Sequence, residues 1–320
     1  MPAAGYEIDL LRVRGLDRRN PIRAAGALRL AAAAFPEARR VLRERGAEAV
    51  LGGGGYVAGP AGLAAVRLGL PLVLSEADRH LGMTNRMLAR RARRVCLAFA
   101  VDGLGPPRYV VTGRPVPAAI ANADRDAARE RCGIAAADRC LLVFGGSQGA
   151  RSINLCALEA FAGAAAGKRD FHVLHISGSR DYEIARETLD SAPNPARYTL
   201  IEYEPGLADA LAAGDLVLAR SGGSIFEIAA AGRASILVPY PYSAQRHQHA
   251  NAAWMAAGGA AVVVEDSELE PARLRRLADQ LLGDSARLGR MAEAAAALAR
   301  PDAAQRVAAE LLAAVRENPD

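Results

Sequence analysis

The chain has 320 residues, 51% of them hydrophobic, enough for two α/β domains and too many for a small scaffold held by disulfides. Its four cysteines, Cys96, Cys132, Cys140 and Cys156, show no CxxC spacing, which fits buried free thiols of a reducing compartment and not metal binding or disulfides. The net charge of +5 is uneven: residues 1–100 carry 17 arginines against 8 acidic residues, the remaining 220 carry 23 basic against 27 acidic, and 5% aromatic content leaves no stacking platform for nucleic acid.

Tyr6–Val13 alternates as a strand at the start of the chain, with no basic segment and apolar run of the kind that directs export. Around it, Arg12, Arg14, Arg18, Arg19, Arg23 and Arg29 interleave with Leu10, Leu11, Leu16, Ile22, Leu28 and Leu30. That mixture suits an anionic membrane surface or a pyrophosphate, and equally a solvated helix face. The spacing predicts a helix from Pro21 to about Arg45, split at Pro36, then a strand Ala47–Leu51 running into Gly52–Gly55. A helix Ala61–Leu68, a strand Pro71–Leu74, a helix near Asn85–Arg93 and strands Arg94–Ala98 and Tyr109–Thr112 follow. The uncharged stretch Ala49–Val66 contains six glycines and a proline, which excludes a spanning helix there. Gly113-Arg114-Pro115-Val116-Pro117 reads as an interdomain linker.

A second βα series opens with Cys140–Phe144, Gly145-Gly146-Ser147-Gln148-Gly149 and a helix through about Ala166. Strand end, glycine turn and helix start make an anion site, because free N–H groups and the helix dipole both favour phosphate; a turn built only for tight packing would look the same. Further strands are predicted at Phe171–Ile176, Tyr198–Ile201, Leu216–Ala219, Ser235–Val238 and Ala260–Val264. Helices are predicted at Tyr182–Leu189, Leu207–Ala213, Ser224–Ala231, Asn251–Ala257, Pro271–Leu282, Ser285–Leu298 and Pro301–Arg316. Two open parallel sheets follow from this alternation. Two strand ends, at Ser221-Gly222-Gly223 and at Pro239, deliver polar groups to one sheet edge: Glu227, a turn into its helix and able to accept two ribose hydroxyls, and Gln245, His247, Gln248, His249 and Asn251.

Five stretches in this order, GGGGYVAGP at 52–60, SEADRHLGMTNR at 75–86, GGSQGA at 145–150, SGGSIFEIAAAG at 221–232 and QRHQHANA at 245–252, resemble the MurG family across essentially the whole chain. Members move N-acetylglucosamine from UDP-GlcNAc onto lipid I, forming lipid II for peptidoglycan. The resemblance implies a GT-B fold of two Rossmann-like parallel-sheet domains facing a cleft: residues 1–117 on the acceptor and membrane side, 118–300 binding the donor, and a helix in 301–320 crossing back to the first domain. It implies that Gly146, Ser147, Gln148 and Gly149 face the diphosphate, and that Gly222, Gly223, Ser224, Ile225 and Phe226 line the nucleotide site. Glu227 would take the ribose, His247 and Gln248 the sugar or diphosphate, and the backbone at Tyr203 and Glu204 the uracil. Helix capping is the plain alternative for Ser147 and Glu227, and surface exposure for His247.

Three departures stand out. The family's HEQN pattern is Ser75-Glu76-Ala77-Asp78, so Asp78 is either a base for the acceptor hydroxyl or a cap of its own turn. The linker GNPVR is GRPVP, so its arginine is either moved to Arg114 or lost at Pro117. A first strand with a glycine-histidine loop does not precede Tyr6–Val13, so the first domain is expected to be truncated and the reading frame to begin further upstream. The reaction expected is inverting transfer without a metal or other cofactor, by a peripheral protein of the cytoplasmic membrane face whose partners are UDP-GlcNAc, lipid I, anionic lipid and other cell-wall enzymes, not nucleic acid. The alternatives are another UDP-sugar-dependent lipid glycosyltransferase, such as one acting on diacylglycerol, or a nucleotide-sugar-binding remnant without turnover.

Overall fold

A computed structural model describes residues 5–15, 20–146, 149–164, 169–243 and 246–318. The chain divides into two compact units, residues 1–115 with 302–320, and residues 116–301.

The first unit is a four-stranded parallel sheet, β1 (Val50–Gly52), β2 (Leu72–Glu76), β3 (Arg94–Leu97) and β4 (Tyr109–Val111), paired in that order. Alternation sends Leu72, Leu74, Val95 and Leu97 to one face, where they meet Leu88, Ala89 and Ala92. Val73 and Cys96 point to the other face and pack on Val307, Leu311 and Ala314 of α13 (Ala303–Arg316), so the strands are apolar on both sides. Arg94 locks the end of α13, pairing with Glu310 at 3.3 Å and Glu317 at 2.8 Å.

Two expectations fail here. Tyr6–Val13 forms no strand: the segment pairs with no sheet among the described residues, and Tyr6, Ile8 and Leu10 are exposed. An alternating pattern becomes a strand only where a neighbouring edge accepts its hydrogen bonds. The helix α1 (Pro21–Glu44) is not split but runs through Pro36. Pro36 cannot donate to Ala32, yet both residues are exposed, so the freed carbonyl can be hydrated and the turn survives. The Asn20 side chain caps its start, accepting from Ile22 and Arg23 N–H at 3.1 Å. Helices α2 (Ala58–Arg67) and α3 (Met83–Leu88) complete the layer.

The second unit opens with two short helices absent from the sequence reading, α4 (Ala119–Asn122) and α5 (Arg125–Arg131), the latter capped by Asp124. Its six-stranded parallel sheet has β5 (Arg139–Phe144), β6 (Phe171–Ile176), β7 (Tyr198–Ile201), β8 (Leu216–Ala219), β9 (Ala234–Leu237) and β10 (Ala261–Val263) in the order β10-β9-β8-β5-β6-β7. The chain enters at β5, winds outward to β7, then returns to β8 on the other side, which makes the β5–β8 junction a topological switch point. Leu141, Val143, Val173, Leu216, Leu218 and Ile236 bury one face against α6 (Arg151–Phe161), α11 (Pro271–Gly283) and α12 (Ser285–Leu298). Helix α6 stops at Phe161, short of the expected Ala166, where the Gly163 N–H turns back to Leu158 O at 3.0 Å. At the sheet's opposite end, Asp215 receives Arg125 at 2.6 Å, Arg129 at 2.8 Å and the Cys140 N–H at 2.8 Å. The remaining helices are α7 (Tyr182–Asp190), α8 (Ala208–Ala213), α9 (Ile225–Ala230) and α10 (His247–Ala257).

All four cysteines are free, and Cys96, Cys140 and Cys156 are buried. No helix among the described residues is long and apolar enough to cross a membrane.

Candidate functional site

The carboxyl ends of β5 and β8 lie side by side, and each runs into a glycine turn. After β5, Gly146 (φ 98) and Gly149 (φ 78) take the left-handed backbone that a side chain disfavours, and the Gly149 N–H closes on Gly146 O at 2.9 Å. A Cβ at Gly145 would collide with the backbone of Ala150, and one at Gly149 with the Ser177 carbonyl. Ala150, the residue before α6, offers no side-chain cap, and among the described residues no side chain takes the first N–H groups of that eleven-residue helix, an arrangement that suits an anion. Ser147 and Gln148 lie outside the described residues.

The second turn is held from behind. Ser221 Oγ donates to the Gln248 carbonyl at 2.8 Å, and Asn251 Nδ2 donates to Ser221 O at 3.0 Å. Helix α10 begins at His247, four residues before its expected start, so His247 and Gln248 occupy its first turn. Gln248 Oε1 accepts the Tyr240 N–H at 2.9 Å, and its Nε2 lies 3.7 Å from where a Cβ of Gly222 would be. Gly222, Gly223 and Ser224 are partly exposed. Ile225 is fully buried and Phe226 packs on Trp254 with ring centroids 5.7 Å apart, so the side chains of this pair belong to the core and only their backbone can meet a ligand.

A cavity of about 170 Å³ opens beside these turns, lined by Phe144 of β5 and Gly146 after it, Ile176 of β6, Tyr203, Glu204 and Leu207 after β7, and Glu227 of α9. Pockets that enclose whole ligands measure roughly 300–1,000 Å³, so this one suits a single ring-sized end of a longer molecule. Leu207 holds a left-handed backbone (φ 40) at its wall, a conformation costly for a branched side chain and found where a site over-determines the chain.

Arg220, directly after β8, ties the ends of β8 and β9 to the start of α6. It donates to Ser152 Oγ at 2.7 Å and to the Val238 and Pro239 carbonyls at 3.2 and 3.3 Å, lies 2.6 Å from Asp266, and stacks 5.5 Å from the Tyr240 ring centre. Asp78 and Arg114 belong to the first unit. There the buried Glu76 carboxylate organises the loop after β2, accepting from the N–H groups of Asp78 (3.1 Å) and Gly82 (2.7 Å) and from Asn85 Nδ2 (3.0 Å). The Asp78 backbone is thereby fixed while its side chain stays partly exposed. No group of three or more His, Cys, Asp or Glu able to hold a metal ion occurs among the described residues.

Residues 1–97 match the glycosyltransferase family 28 N-terminal domain and residues 140–307 the family 28 C-terminal domain. The UDP-N-acetylglucosamine--N-acetylmuramyl-(pentapeptide) pyrophosphoryl-undecaprenol N-acetylglucosamine transferase of Moorella thermoacetica is 41% identical over 98% of this chain and 87% of its own length. The chain belongs to the MurG group of glycosyltransferase family 28. The equivalent transferase of Rubrobacter xylanophilus is 39% identical over 99% of this chain and 92% of its own. The crystal structure of Acinetobacter baumannii MurG superposes with a TM-score of 0.71 at 31% identity, covering 90% of this chain and 79% of that one. The UDP-GlcNAc 2-epimerase of Neisseria meningitidis bound to UDP-GlcNAc has a TM-score of 0.65 at 16% identity over 95% and 84% of the two chains, a likeness of fold alone. The fold is GT-B.

Several residues of the second unit's candidate site were not singled out from sequence, Leu207 and Phe144 in the cavity wall and Arg220 with Ser152 and Asp266, nor was the Glu76–Asn85 pair of the first unit. The available signals were positional. Phe144 and Ile176 are the last residues of their strands, and Arg220 directly follows one.

Proposed function

We propose that this chain transfers N-acetylglucosamine from UDP-GlcNAc to lipid I with inversion, forming lipid II. The observation that carries the reading is the meeting of Gly146, Glu227 and the Tyr203–Leu207 segment around one ring-sized cavity at the switch point of the second unit's sheet. Uracil occupies that cavity against Tyr203 and Glu204, and Glu227 accepts the ribose hydroxyls. The diphosphate lies against Gly146, Gly149 and the start of α6, and Ser147 and Gln148 are proposed as further contacts for it. The sugar extends along the Gly222–Ser224 turn toward Gln248 and His247, following the strand order from β7 to β9.

The acceptor hydroxyl attacks the anomeric carbon from the face opposite UDP. One C–O bond forms, the bond to the diphosphate breaks, and the hydroxyl proton passes to a base, for which Asp78 is the proposed group. Helix N–H groups stabilise the charge that gathers on the leaving diphosphate, a preorganised role that needs no reorganisation during the step. Arg114 is proposed to add a positive charge for substrate phosphate.

The first unit is the acceptor side in this reading, working peripherally at the cytoplasmic membrane face. Exposed Ile22, Leu28 and Leu30 on α1, among Arg23 and Arg29, supply apolar contact and positive charge for anionic lipid. Other cell-wall enzymes are proposed as partners at that surface. Product analysis with UDP-GlcNAc and either lipid I or diacylglycerol tests the function. Lipid II is the expected product; a glycosylated diacylglycerol would replace this reading, and tight UDP-GlcNAc binding with no product would leave a non-catalytic remnant.

A further inference from the structure

A buried chain of polar groups runs beneath Gly149. His175, at the end of β6, is fully buried; its Nδ1 lies 2.7 Å from the Tyr198 hydroxyl and its Nε2 3.0 Å from Asn154 Oδ1. Asn154, 1% exposed in the second turn of α6, donates through Nδ2 to the Ser177 carbonyl at 2.9 Å and to Asp181 Oδ2 at 3.1 Å. Ser177 is the residue whose carbonyl Gly149 packs against with no room for a Cβ, and the same imagined Cβ would stand 3.3 Å from Asn154 Nδ2.

Only one arrangement of protons satisfies the chain. Ser177 O and the Asp181 carboxylate are both acceptors, so they require the NH₂ end of Asn154 and turn its oxygen toward His175. That oxygen needs a donor, so His175 carries its proton on Nε2. Nδ1 is then bare, and Tyr198 must donate to it. The Tyr198 hydroxyl is enclosed although the residue as a whole is only half-buried, and burial raises its pKa, which keeps the proton in place. Each member fixes the orientation of the next, ending at the carbonyl that sets the height of the glycine turn over the sheet.

We infer that His175 and Tyr198, which touch no substrate, are positioning residues of the diphosphate turn, acting through Asn154 and Ser177. The inference rests on the donor site proposed above. Loss of the chain frees Asn154 to rotate and the Ser177 carbonyl to shift, so Gly149 and the first turn of α6 no longer present their N–H groups at a fixed position. The cost falls on UDP binding and not on the acceptor.

The test compares His175→Gln with His175→Leu in the full chain. The Gln amide nitrogen reproduces the Nε2–H donor, whereas Leu removes it. Calorimetry with UDP is expected to give an affinity within about threefold of wild type for His175→Gln and at least about tenfold weaker for His175→Leu, with the KM for UDP-GlcNAc following and the acceptor KM unchanged. Nitrogen NMR of the wild-type imidazole is expected to show protonation on Nε2 alone. Equal affinities in the two variants, or a wild-type proton on Nδ1, overturns the inference, and the NMR result decides even if His175→Leu does not fold. A chain that binds UDP in this pattern but makes no lipid II contradicts the proposed function and leaves the positioning role standing.

Discussion

The guanidinium of Arg220 lies 2.6 Å from the carboxylate of Asp266, and the Ser152 hydroxyl bridges them, accepting from Arg220 and donating to Asp266 at 2.8 Å. Three elements of the second unit meet in that triangle: the end of β8, the first turn of α6 and the 3-10 turn Asp266–Glu268. Arg220 is mostly buried and spends its other donor contacts on the Val238 and Pro239 carbonyls at the end of β9. Removing its counter-charge leaves a desolvated cation.

Asp266→Asn is therefore expected to destabilise the second unit by about 1–3 kcal/mol, the range for a broken charged hydrogen bond in a partly buried setting. Urea unfolding of the variant beside wild type reads this directly. A change under about 0.5 kcal/mol would place the pair among exposed bridges of little worth.

Glu227 is expected to matter for binding and not for folding. In Glu227→Ala, UDP affinity should fall by about 1.5–3 kcal/mol, the worth of hydrogen bonds to a charged group, with the melting temperature nearly unchanged. Calorimetry with UDP that finds full affinity in a folded variant would reduce Glu227 to a helix-start residue.

The sequence showed strands most clearly where both faces are apolar. Phe171–Ile176, Tyr198–Ile201 and Leu216–Ala219 form over the residues their patterns mark; Leu216–Ala219 is apolar throughout and fully buried, as a central strand of a sheet covered on both sides must be, while Phe171–Ile176 is buried along its length with only two histidines among its apolar residues. Tyr6–Val13 misled for the opposite reason, since alternation records what a strand would do with a partner and says nothing of whether one is present. Of the site, the glycine turns and Glu227 were legible as chemistry at strand ends. Ile225 and Phe226 fall within the same motif, yet both are buried, and Phe226 packs on Trp254, nearly thirty residues on. The His175–Asn154–Ser177 chain was invisible: it exists only because the β5–β6 pairing brings α6 over the end of β6, and no residue in it is unusual in its own neighbourhood.

The buried imidazole also makes stability depend on pH. Burial pulls the His175 pKa from 6.5 down to about 3, so between those values the unfolded chain binds a proton that the folded chain does not. Stability therefore rises with pH across that window and is lost as pH falls below about 6.5, at up to about 1.4 kcal/mol per pH unit for one proton. His172, whose pKa is also lowered by burial, contributes in the same direction. Urea unfolding of wild type and His175→Gln between pH 7 and 4.5 should show a shallower decline in the variant; identical slopes would mean that His175 takes up a proton in the folded state.

Membrane docking is checked by co-sedimentation with liposomes. Binding through the exposed aliphatics and arginines of α1 should increase with phosphatidylglycerol content and fall as salt is added, because the charge contribution is screened within roughly 8 Å at physiological ionic strength. Ile22→Ser with Leu28→Ser should weaken binding at every salt concentration, since both side chains are largely exposed and add little to the core. Binding indifferent to lipid charge and to both substitutions would leave α1 as a solvated face.

Inversion at the anomeric carbon is read from the stereochemistry of the transferred sugar. UDP-GlcNAc labelled with ¹³C at the anomeric carbon, incubated with lipid I and this chain, should give lipid II whose new linkage is β by NMR, the inverse of the α-linked donor. An α-linked product, or release of free N-acetylglucosamine and UDP with lipid I unchanged, would contradict direct displacement by an acceptor hydroxyl.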